Sequence, residues 1–158
     1  MQRRQVLSAA AGLGTGLMAR ATRAQGNNIV LGQSAAFTGP ASELGEQFKR
    51  GALLYLDRVN ARGGVGGRSI ELVSLDDGYE PDRCAENTRK LIERGVFALF
   101  GYIGTPTSLA ALPLATAAKT PFIAPFTGAE ALRAPFNRYA FHVRASYFDE
   151  TAAIIKQI

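Results

Sequence analysis

The sequence predicts an α/β fold, a mainly parallel sheet flanked by helices on both faces. Three observations predict it. Short apolar runs alternate five times with segments whose apolar residues recur at helical spacing. Glycine and proline mark the junctions, as at Gly39-Pro40, Gly63-Gly64 and Gly95. The 158 residues suffice for one domain, which at this size buries roughly two-thirds of its unfolded surface.

Each element follows in order. "NNIVLGQSAA" reads as a short buried strand, and "FTGPASELG" as a turn in which Ser42 can cap the next helix. Leu44, Phe48, Ala52, Tyr55 and Val59 then fall on one helical face, the expected buried face. Gly63-Gly64 ends that helix, where positive φ is needed. "GGVGGRS" leads into a second strand, "IELVSLDD". "EPDRCAENTRKLIERG" is a second helix, with Pro81 in its first turn and Gly95 past its end. "VFALFG" is continuously apolar, as a strand buried on both faces should be. "PTSLAALPLATAAK" is a third helix, interrupted or kinked at Pro113. "TPFIAPFTG" is a fourth strand and turn, "AEALRAP" a helical turn and "RYAFHVRAS" a fifth strand. "YFDETAAIIKQI" begins a last helix.

The formal charge of +5 is unevenly placed. Arg3, Arg4, Arg20 and Arg23 lie in the first 24 residues, which hold no acid; from Gln25 onward 14 basic residues face 13 acidic ones. No basic stripe with interleaved aromatics remains, so nucleic acid is excluded as a partner. Residues 1–24 have a basic start, a weakly apolar run from Val6 to Ala19 and small residues before Gln25, the layout of a bacterial export signal. The apolar run falls short of the roughly 20 residues that span a bilayer. Arg3-Arg4 ahead of a glycine-rich run points to the twin-arginine route, with an ordinary secretory signal as the alternative. Cleavage is expected after Ala24 or Ala21, and the mature protein in the periplasm. Cys84 is the only cysteine, so no internal disulfide forms; on a helix it reads as a small buried residue. One His and one Cys cannot assemble a cysteine- or histidine-based metal cluster.

Ligands of parallel α/β sheets bind at the carboxyl ends of the strands. The loops to search are therefore 33–42, 76–81, 101–108 and 124–130. "GYIGTPTS" (101–108) opens a helix near Thr105 or Pro106, where free N–H groups and the positive dipole end favour an anion. Thr105, Thr107 and Ser108 add hydroxyls. No lysine follows the glycines, and Gly101-x-x-Gly104 lacks dinucleotide spacing, so no nucleotide cofactor is expected. A carboxylate suits these neutral donors; plain helix capping by Thr105 or Thr107 fits the spacing equally. Thr127-Gly128 can reinforce the same anion hole or cap a turn. Asp76-Asp77 reads as turn-making rather than metal-binding. There is no G-x-S-x-G elbow. His142, in strand alternation, reads as a packed or edge-facing residue rather than a base, without a nucleophile beside it in sequence, although a partner distant in the chain stays open.

Taken together, several segments resemble the branched-chain amino-acid (leucine/isoleucine/valine) substrate-binding proteins of ABC transporters. The resemblance runs from "GPASELGEQFKRGALLYLDRVNARGGVGGRSIELVSLDD" through "FGYIGTPTS", "FIAPFTGAEALR" and "FHVRASYFDETAA". Its most specific features are N-x-x-G-G-V-x-G-R, Asn60 to Arg68, and Asp76-Asp77. The resemblance implies the first lobe of a type I periplasmic-binding-protein fold over residues 25–145, with 146–158 beginning the crossover and first helix of a second lobe. It implies a receptor delivering a small carboxylate-bearing ligand, an amino acid of branched-chain type, to permease and ATPase subunits, with no catalysis. It places Leu44, Gly104, Thr105, Thr107, Phe126, Thr127 and Tyr147 at the ligand. In many relatives the residue matching Leu44 is aromatic, and in some the positions of Tyr79 and Gly104 carry a disulfide that this sequence lacks. The acidic residue that meets the ligand ammonium in relatives comes from the second lobe. Two other readings remain: a sensory module of the same fold, and an α/β hydrolase using His142.

Overall fold

The computed structural model describes residues 28–158, so the proposed export signal and its cleavage site lie outside the described residues. Five strands form one sheet: β1 (Ile29–Ala35), β2 (Ile70–Asp76), β3 (Ala98–Phe100), β4 (Phe122–Ile123) and β5 (Ala140–Phe141). Their spatial order is β2-β1-β3-β4-β5, and every pairing is parallel. Parallel neighbours need crossovers, and α1 (Ser42–Ala61), α2 (Pro81–Glu93) and α3 (Thr105–Ala117) supply three of them. The last helix, α4 (Tyr147–Ile155), follows β5.

Alternation along each strand sends successive side chains to opposite faces. Leu99 enters a core with Leu91 of α2, Ala111, Leu112 and Ala115 of α3, Tyr102 and Phe122. Phe100 turns the other way and meets Phe48 of α1, ring centroids 6.1 Å apart. The tyrosine hydroxyl at the core's centre is satisfied by Thr88 at 3.0 Å, as a buried polar group must be.

The Asn60–Arg68 motif has a direct physical basis. The Asn60 amide clasps the backbone of Ile70, donating to its carbonyl at 2.8 Å and accepting from its N–H at 2.8 Å. That docks the end of α1 onto the start of β2. Gly63 and Gly64 take φ of 97° and 72°, and a Cβ at Gly64 would overlap the Arg68 carbonyl.

Several expectations are corrected. Ser42 is the first residue of α1 rather than its cap, and no side chain caps that end. The buried face of α1 is turned from the expected one: Gly45 is its buried residue, while Leu44 and Tyr55 are exposed. Gly45 permits this, because a Cβ there would overlap the Ala36 carbonyl. β3 is three residues long and Phe97 before it is exposed; β5 is two residues long and excludes His142. Pro113 does not interrupt α3, which continues to Ala117.

Candidate functional site

The strand ends gather the loops that the topology predicts. After β3, Gly104 takes φ 95° and ψ 157° as the residue before α3. That backbone is essentially reserved for glycine. A short parallel bridge between Ile103 and Phe126 brings the start of α3 beside loop 124–128, with Phe126 N–H donating to the Tyr102 carbonyl at 2.7 Å. Three hydroxyls from separate segments meet as a result. Thr105 Oγ1 and Thr127 Oγ1 are 2.6 Å apart, and Thr127 Oγ1 lies 3.3 Å from the Tyr147 hydroxyl. The Ala129 N–H also donates to Thr127 Oγ1 at 3.2 Å. The pairing with Thr127, aided by the Gly128 backbone and Thr105 and the nearby Arg144, holds the Tyr147 phenol below its ordinary range against some desolvation.

Gly128 is the seat of Tyr147: its carbonyl accepts the Tyr147 N–H at 2.8 Å, and a Cβ at Gly128 would press on that backbone nitrogen. Arg133 ties down the segment before α4. Its guanidinium donates to the carbonyls of Arg144 at 2.7 Å and Ala145 at 3.1 Å. Ser146 then caps α4 in a reciprocal pair with Asp149.

Beside the hydroxyls lies an apolar depression of about 390 Å³, walled by Phe48, Phe100, Pro125, Phe126, Val143 and the stem of Arg144. Phe48 and Phe126 rings are 5.6 Å apart. The Arg144 guanidinium sits 5.1 Å from the Phe126 ring centre and 5.2 Å from that of Tyr147. Its charge is met by Glu150 through a bidentate pair at 2.6 and 2.8 Å. Ala124, on the rim, holds φ 52°, an uncommon backbone for alanine. Two larger depressions, about 520 and 500 Å³, lie away from the strand ends, on the outer face of α1 and between α3 and segment 131–137.

The structure therefore brings Gly104, Thr105, Phe126, Thr127 and Tyr147 to one place. Thr107 is corrected: it is fully buried, and its hydroxyl turns back to the carbonyls of Ile103 and Gly104. Only its backbone lies on the first turn of α3, where N–H groups have no partner in the helix. Leu44 sits a turn before Phe48, and Phe48 is the residue of α1 that lines the depression. Sequence reasoning missed Phe100 and Arg144 as wall residues; the available signal was that Phe100 ends a strand directly before loop 101–108.

Asp76 and Asp77 make turns. Asp76 accepts from the Phe37, Thr38 and Gly78 N–H groups, the Thr38 hydroxyl and Arg83. Against partial burial, those bonds hold its carboxyl well below the usual range. Asp77 is buried, which raises its pKa although Ser34 and the Tyr79 N–H bond it. No group of three metal-ligating side chains occurs among the described residues. His142 Nε2 lies 3.0 Å from the Leu132 carbonyl, so that nitrogen carries the proton. Burial and nearby Arg133 lower its pKa, and it faces a carbonyl rather than a nucleophile. No helix of the described residues is long and apolar enough to cross a membrane.

Comparison with known proteins fits this geometry. Residues 28–158 match the family model for periplasmic binding protein. An amino acid binding protein of Pseudomonas aeruginosa is 31% identical over 85 residues, which make up 53% of this chain and 23% of that protein. Among solved structures, a possible leucine/isoleucine/valine-binding protein from Rhodopirellula baltica SH 1 is 42% identical with a TM-score of 0.79, over 86% of this chain and 37% of that one. The LivJ substrate-binding protein of Streptococcus pneumoniae, solved with isoleucine, is 27% identical with a TM-score of 0.67, over 76% and 34%. The matched stretch thus spans between about a quarter and two-fifths of these proteins. From the family match over residues 28–158, together with the parallel five-stranded sheet, the chain belongs to the periplasmic binding protein family, with the α/β architecture of its type I members.

Proposed function

We infer that this chain carries the carboxylate-holding wall of an extracytoplasmic solute receptor for an ABC importer, and that its ligand is a small amino acid with an apolar side chain. The observation that carries the reading is the meeting of Thr105, Thr127 and Tyr147 at the start of α3 beside an apolar wall. A carboxylate there takes hydroxyl donors and the helix's positive end. The Thr105 and Thr127 hydroxyls bond each other, and binding a carboxylate exchanges that bond for bonds to the ligand. The aliphatic or aromatic part of the ligand covers Phe126 and Phe48, removing carbon surface from water. Residues 1–24 serve export to the periplasm, and a second lobe supplies the group that meets the ammonium. Permease and ATPase subunits receive the loaded receptor.

The test is amide NMR of the 158-residue chain titrated with leucine and isoleucine. Shifts confined to Thr105, Thr107, Thr127, Gly128 and their neighbours support the reading. No perturbation there up to about 10 mM ligand, well past the roughly 1 mM that corresponds to −4.1 kcal/mol, rejects it.

A further inference from the structure

One terminal nitrogen of Arg133 joins the backbones of two separate loops. From Nη2 the Arg144 carbonyl is 2.7 Å away and the Ala145 carbonyl 3.1 Å, with a longer contact to the Thr127 carbonyl at 3.5 Å. A guanidinium makes charge-assisted bonds, roughly twice as strong as neutral ones. The base of the side chain is fixed as well. Leu132 beside it is buried in the core, and the Arg133 N–H closes a 3₁₀ turn onto the Glu130 carbonyl at 2.7 Å.

The carbonyls held in this way belong to the segments that deliver the site's hydroxyls. Thr127 carries one hydroxyl itself. Arg144 and Ala145 lead through Ser146 into Tyr147, the first residue of α4, which carries another. The chain leaves the sheet after Phe141, so the strand ladder no longer fixes where Tyr147 begins. The Tyr147 hydroxyl lies 3.3 Å from Thr127 Oγ1, near the limit for a hydrogen bond, and a shift of about half an ångström in either segment parts them. We propose that Arg133 is a positioning residue of the hydroxyl cluster: its guanidinium pins segment 144–145 beside Thr127 and so sets the spacing of the Thr127 and Tyr147 hydroxyls. It acts through the backbone, by holding in register two loops that the sheet does not pair. Its bearing on a ligand carboxylate rests on the function proposed above.

The test is a ring-carbon NMR titration of Tyr147 in the 158-residue chain, with circular dichroism to verify folding of each variant. Arg133→Gln removes both the charge and the reach. Arg133→Lys keeps the charge, but its stem ends a bond short and carries a point donor in place of the fork. Both should move the Tyr147 titration upward, toward the ordinary tyrosine range, because the bond to Thr127 is the leading cause of its depression. If Arg133→Gln does not fold, Arg133→Lys carries the test alone. In a Thr127→Val background that bond is already gone, and either change at Arg133 should move Tyr147 about half as far or less. An unmoved Tyr147 in the folded variants overturns the proposal. So does a shift that persists undiminished beside Thr127→Val, and so does a shift with Arg133→Gln that Arg133→Lys lacks, since charge rather than reach would then be acting. Leucine titration read from amide shifts separates this from the functional reading. Where the parent chain binds leucine, the variants should bind about threefold more weakly or worse, as loss of a ligand hydrogen bond implies; equal or tighter binding overturns the link to the ligand. A parent chain that does not respond to leucine rejects the functional reading, and the Tyr147 titration still decides the role of Arg133.

Discussion

Replacing Gly104 by alanine should destabilise the protein by about 1–3 kcal/mol, through backbone strain rather than through collision. Two penalties compete at this position. The first is conformational: φ 95° with ψ 157° lies in a region essentially closed to residues with a Cβ. The second is steric: the new Cβ would overlap the ring of Tyr79. Tyr79 is 37% exposed, so its ring can swing outward and the collision relaxes at small cost. The backbone cannot relax as easily, because the residues on either side are held by the Ile103–Phe126 bridge and by the first turn of α3. With about 2.1 cal/mol/K of unfolding entropy per residue over residues 28–158, this loss lowers Tm by roughly 4–11 °C. The assay is thermal and urea unfolding of Gly104→Ala, of Tyr79→Ala, and of the double variant. If strain dominates, the two effects add within about 0.5 kcal/mol. If Tyr79→Ala restores most of the stability lost at Gly104, the collision dominates and this reasoning is refuted.

Thr127→Val should raise the pKa of Tyr147, because the bond to Thr127 is the leading cause of its depression; ring-carbon NMR of Tyr147 across alkaline pH reads the change, and an unmoved titration would contradict it. Asp76 has a depressed pKa in the folded state, so it contributes stability above the unfolded carboxylate value of about 3.9 that is lost as pH falls further. Asp76→Asn should therefore be less stable at neutral pH and show a flatter loss of stability on acidification, as measured by urea midpoints across that range. Cys84 is fully buried, its S–H donates to the Thr107 carbonyl at 3.4 Å, and burial pushes its thiol up to about 12. Iodoacetamide at mildly alkaline pH should leave it unmodified in the folded chain and alkylate it once denaturant is added.

The five alternating segments, the loops to search and the glycine turn after α1 were legible in the sequence because each depends on local chemistry. Helical spacing, apolar runs and residues suited to positive φ act within a few positions of themselves. Gly63, Gly64 and Gly95 therefore end their helices where expected. The hydroxyl elbow at Thr105 was also legible, since a strand running into a glycine and then a helix leaves N–H groups at the strand end.

Other features depended on partners distant in the chain. Helical periodicity does not say which neighbouring residue of a face turns inward, and the close approach of Gly45 to the Ala36 carbonyl rotated α1 so that Leu44 and Tyr55 face water. Spacing made Thr105 and Thr107 equal candidates. The tertiary structure separated them, sending Thr107 into the core against its own helix and leaving Thr105 to meet Thr127, 22 residues on. The apolar wall likewise joins Phe48, Phe100, Phe126 and Arg144 from four segments. By itself the sequence determined the order of strands and helices and which loops crowd the strand ends, because backbone propensity and turn chemistry are local. Only the tertiary structure decided which hydroxyls turn toward one another and which rings form a wall, because those directions are set by side-chain packing between segments far apart in the chain.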